Sequence, residues 1–66
     1  MHDLTDISNA LRVQRKHLAR TRQDTLTLIS RSVPGSDLEA ATTEHLAKVD
    51  AAIASIDEAL KHLGNR

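Results

Sequence analysis

Leu46, Val49, Ile53, Ile56, Leu60 and Leu63 follow one another in alternating steps of three and four residues. This is the heptad a/d spacing, which aligns branched aliphatic side chains along one stripe of a helix. A stripe of that length is stable in water only when another apolar surface covers it, so the rest of the chain is constrained to provide that cover or to recruit it.

The 66 residues contain no Cys, Phe, Tyr or Trp. Disulfides and thiolate metal sites are therefore excluded, and Leu, Ile, Val and Ala must build the core without the large buried area of an aromatic ring. At this length one core rarely outweighs an ordering cost of about 1.5 kcal/mol per residue. Oligomerisation is the support that remains. The opening MHDLTD carries acids and no apolar run of signal-peptide or membrane-span length, which leads us to expect a cytoplasmic protein.

Asp3 is expected to cap a first helix, with Asp6 favourable in its positive first turn. Leu4, Ile7, Leu11, Leu18 and Leu28 lie on one a/d count, interrupted by Gln14, Thr21 and Thr25. A second track through Leu26, Ile29 and Val33 moves the stripe sideways, so the packing face is expected to take from both, with a departure from strict heptads near Arg22. Thr25 to Ser30 alternates like a strand. No second strand-like run exists to pair with it, and unpaired backbone donors favour continuation of the helix.

Val33-Pro34-Gly35 should end that helix, because proline disfavours helical geometry in the residue before it and glycine turns freely. Ser36-Asp37-Leu38-Glu39 then reads as a capping box. The second helix is expected to reach Leu63, with Gly64 as its C-terminal cap. The predicted fold is all-α: a single domain over 1–66, formed as an antiparallel hairpin of helices at about 3–32 and 36–63. Residues i and about 69−i should lie at the same height.

Two features point beyond the hairpin. Arg15 and Arg22 flank the first stripe while Glu39, Asp50 and Asp57 flank the second, so ion pairs across the seam are expected to set orientation. Ala41, Ala52 and Ala59 widen the second helix's apolar face past what one partner helix covers. Two hairpins dimerised into a four-helix bundle satisfy both face width and chain length. The expected dimer or partner interface comprises Leu11, Leu18, Leu46, Val49, Ala52, Ile53, Ile56, Ala59 and Leu60. Gln14, Thr21 and Thr25 would form polar layers that specify register.

Chemistry-bearing patterns are sparse. His2, His17, His45 and His62 include no Glu-x-x-His pair of the kind a di-metal bundle uses. His2 and His62 would meet at the open end. Neither a phosphate loop nor a nucleophile set is present, so no catalytic residue, cofactor or metal is expected. Arg12, Lys16 and Arg20 form an i, i+4, i+8 row, extended by Arg15 and Arg22, and no acid interrupts residues 7 to 23. Such a row suits phosphate contact, but with no aromatic to stack a base. The sequence therefore predicts a non-catalytic regulator or adaptor that binds a protein partner by helix packing. The alternative is a binder of the backbone of structured RNA or duplex DNA through the basic row.

Overall fold

The computed structural model describes residues 4–64, which fold into two helices, α1 (Leu4–Arg31) and α2 (Asp37–Gly64), each of 28 residues. They pack against each other as an all-α hairpin measuring 48 × 16 × 15 Å. Asp3, the expected first cap, lies outside the described residues.

The reversal is built from local chemistry. Pro34 and Gly35 occupy the two central positions of a turn in which the Ser36 N–H donates to the Val33 carbonyl over 3.1 Å. Gly35 has φ of +79°, the left-handed conformation that a type II turn requires at its third residue. The Glu39 N–H donates to Ser36 Oγ over 3.2 Å, as the capping box predicts. The Glu39 carboxylate returns one residue further than in a reciprocal box, accepting from the Gly35 N–H over 3.1 Å. It does so because the Ser36 N–H is already taken by Val33. At the far end, Gly64 is the last residue of α2 and does not adopt positive φ, so the left-handed cap expected there is not formed by Gly64.

The strand-like run in α1 stays helical because its hydroxyls bind inside the helix. Thr25 Oγ1 donates to the Thr21 carbonyl over 2.7 Å, Thr27 Oγ1 to that of Gln23 over 3.1 Å, and Ser30 Oγ to that of Thr27 over 2.7 Å. A polar residue that satisfies itself on its own helix can face an apolar partner with little loss. Thr25 illustrates this at 6% exposure, matched by Thr42, which donates to the Leu38 carbonyl over 2.5 Å. By the antiparallel count the two threonines stand at nearly the same height.

The seam follows the expected stripes. Leu11, Leu18, Leu46, Ile53, Ile56, Leu60 and Leu63 are half-buried along it, and Val49 is buried. After Arg22 the α1 side continues through half-buried Leu26 and Ile29, while Leu28 and Val33 are exposed. The stripe therefore does shift sideways, and Leu28 is left on its flank. Substituting Gly35 by Ala meets no atom within 4 Å, so its effect is backbone strain alone. It should lower stability by about 1 kcal/mol, read as a reduced midpoint in urea with an unchanged slope.

Candidate functional site

The two long edges of the seam differ sharply. On one edge, Arg15 Nε lies 2.5 Å from Asp57 Oδ1, with Nη2 3.4 Å from Oδ2, and Arg22 Nε lies 2.6 Å from Asp50 Oδ1. Each helix contributes one residue per heptad, so the pairs repeat in register. Both carboxylates sit about three residues beyond the height that i and 69−i would give. Side chains lean toward the N-terminus of their helix, and an antiparallel pair therefore meets with this offset. The Asp57 hydrogen bond, and then its charge, raise the Arg15 guanidinium above its ordinary value. Both pairs remain about half exposed, so they fix direction more than they stabilise.

On the other edge no ion pair links α1 to α2 among the described residues; Lys48, at its rim, pairs with Glu44 of its own helix over 3.6 Å. At 100° per residue this edge is formed on α1 by Ile7, Ala10, Gln14, Thr21 and Leu28, and on α2 by Leu38, Ala41, His45, Ala52 and Ala59. Ala52 and Ala59 are half-buried; Ile7, Ala10, Gln14, Leu28, Leu38 and Ala41 are exposed. Near the open end of the hairpin this edge holds a shallow groove of about 310 Å³ lined by Asp6, Ile7, Ala10, Leu11 and Gln14. Here the expected polar layer divides. Thr25 enters the seam, Thr21 is half-buried beside it, and Gln14 faces outward on the open edge.

The open edge reflects a wider shortage of burial. Val49, at 4% exposure, is the sole buried aliphatic among the described residues, and none of their side chains falls below 2%. Leu4, Ile7, Val13, Leu28, Val33 and Leu38 are each at least 40% exposed. The chain presents 5144 Å² to solvent. A compact protein of 7.2 kDa is expected to present about 4,100 Å², an excess of about 1,000 Å². No known family model, curated protein or solved structure matches this chain. The site is therefore defined by its own geometry.

On the outer side of α1, Arg12, Lys16 and Arg20 are exposed, spanning about 12 Å along the axis. Arg12 Nη1 donates to Asn9 Oδ1 over 3.4 Å. Arg15 and Arg22, expected to extend this row, instead turn to Asp57 and Asp50 at the seam. His17, His45 and His62 are exposed, and His62 Nε2 stands 3.2 Å from Glu58 Oε1 one turn earlier. His2, its expected neighbour, lies outside the described residues. Among the described residues no group of three or more His, Cys, Asp or Glu is placed to hold a metal ion, and no helix is long and apolar enough to cross a membrane.

Thr42 and Leu38 are the residues that sequence reasoning passed over. Stepping back four residues from Leu46 reaches Thr42, so the a/d count itself contained the signal. Reversing one charge, as Arg22→Asp or Asp50→Arg, should lower the thermal midpoint. The double reversal should recover most of that loss, and high salt should flatten the difference.

Proposed function

We propose that this chain acts by binding, as a small cytoplasmic regulator or adaptor that packs against helices of a partner protein. In this proposal the hairpin is itself stabilised by dimerisation into a four-helix bundle, in which its open edge packs against further helices. The observation that carries this is the asymmetry of the seam: one edge is closed by Arg15–Asp57 and Arg22–Asp50, while the other leaves Ile7, Leu28 and Leu38 beside Ala41, Ala52 and Ala59, with His45 among them. Alanine columns allow close approach of helix backbones, and flanking aliphatics supply the ridges that interlock. The excess surface of about 1,000 Å² is of the same order as the roughly 800 Å² that each partner buries in a stable interface.

Light scattering should give a mass of twice 7.2 kDa, and the unfolding midpoint should rise with protein concentration, as it does when association and folding are linked. A monomer whose midpoint is independent of concentration contradicts the proposal.

A second reading rests on Arg12, Lys16 and Arg20, whose side chains form no ion pair with the described carboxylates and lie on the face away from the seam. Three such cations per hairpin fit the phosphates of a duplex or a stem. Binding of this kind should weaken with a log–log salt slope of about −0.9 per phosphate contacted. Arg12→Glu together with Lys16→Glu should abolish it. Failure to retain duplex DNA or structured RNA at low salt eliminates this alternative.

A further inference from the structure

We infer that the open edge is taken by a second copy of this chain, with the two hairpins pointing in opposite directions so that their turns lie at opposite ends of the bundle. This rests on the proposal that the open edge packs helices, and it commits that edge to one occupant and one orientation.

The order of residues along the edge carries the inference. On α1 the open positions Ile7, Gln14, Thr21 and Leu28 recur at heptad intervals and are placed symmetrically about the helix midpoint, which falls between His17 and Leu18. A two-fold axis across the helices at that height lays α1 antiparallel on α1 of the second copy. Each residue then meets the one equally far from the midpoint. Ile7 meets Leu28, and Gln14 meets Thr21, so apolar layers face apolar layers and an amide faces a hydroxyl.

An isologous interface demands this reciprocity, in which residue i meets j and j meets i. A foreign helix imposes no such symmetry on the sequence. The operation also brings Leu28 of the second copy to the groove lined by Ile7, Ala10, Leu11 and Gln14, with Asp6 at its rim, and each copy fills the other's.

The opposite choice is less well matched. A two-fold axis along the helices stacks α1 on α2 of the second copy, which by the antiparallel count brings Ile7 to the height of His62 and Leu28 to that of Ala41. The two large apolar residues then no longer meet each other, and the groove faces α2 of the second copy, away from Leu28. The area supports the same partner: the surface in excess of a compact chain is close to one side of a stable interface, so a second hairpin is sufficient cover.

The absence of cysteine makes the test direct. Val33 stands at the turn and is 71% exposed, so Val33→Cys accepts a nitroxide without entering the seam. Double electron–electron resonance on the labelled dimer should give a separation close to the 48 Å length of the hairpin. A separation of less than half that length, in a protein that light scattering shows to be dimeric, overturns the orientation and leaves the binding proposal standing. A monomeric mass overturns both. Ala10→Cys should report on the face itself. In the dimer it should react with a water-soluble maleimide at least about tenfold more slowly than Val33→Cys, the protection given by an opening free energy of about 1.4 kcal/mol. Equal reactivity overturns the assignment of the open edge.

Discussion

Two cylinders in contact cover each other along a single line, and everything else in this protein depends on that limit. A helix pair rich in Leu and Ile can shelter one stripe from each partner, yet side chains one position to either side stay within reach of water. Aromatic rings would extend the sheltered zone, and this chain has none. Val49 alone among the described aliphatics is buried, at the middle of the seam. The hairpin thus has a defined shape and a thin interior.

Polar chemistry compensates by fixing geometry where burial is weak. Arg15–Asp57 and Arg22–Asp50 recur at one heptad spacing on one edge, and a slip of the two helices by one turn would separate both pairs together. Thr25 and Thr42 occupy central positions without leaving an unpaired hydroxyl, since each donates to its own helix. Register is therefore specified by groups that contribute little net stability, a division of labour common in helical assemblies. The consequence is an edge kept closed by charge and an edge left open by small side chains.

Much of this was legible in the residues. The hairpin, its turn, the capping box and the Arg–Asp pairs follow from spacing, because each depends on neighbours in sequence or on the antiparallel count. The shift of the α1 stripe at Arg22 was visible as two competing apolar tracks, and the structure takes Leu26 and Ile29 into the seam while leaving Leu28 beside it. Less legible was the fate of polar residues. Gln14, Thr21 and Thr25 lie on one a/d count with different outcomes, since the Thr25 hydroxyl bonds back to the preceding turn and a glutamine amide cannot do so as compactly. The destination of the Glu39 carboxylate was hidden for a similar reason: it depends on which backbone donor the turn has already used. Gly64 likewise carries the composition of a cap but stays in helical conformation.

The turn has a topological consequence. Two helices of 28 residues joined by a short connection can in principle straighten into one long rod and exchange halves with a neighbour. Straightening would break the Ser36–Val33 hydrogen bond, return Gly35 from left-handed to helical geometry, strip the Gly35 N–H of the Glu39 carboxylate, and place Pro34 inside a helix, where its ring clashes with the preceding turn. All four penalties fall within seven consecutive residues. The chemistry of the turn therefore holds the chain closed on itself and opposes an exchange of helices between hairpins.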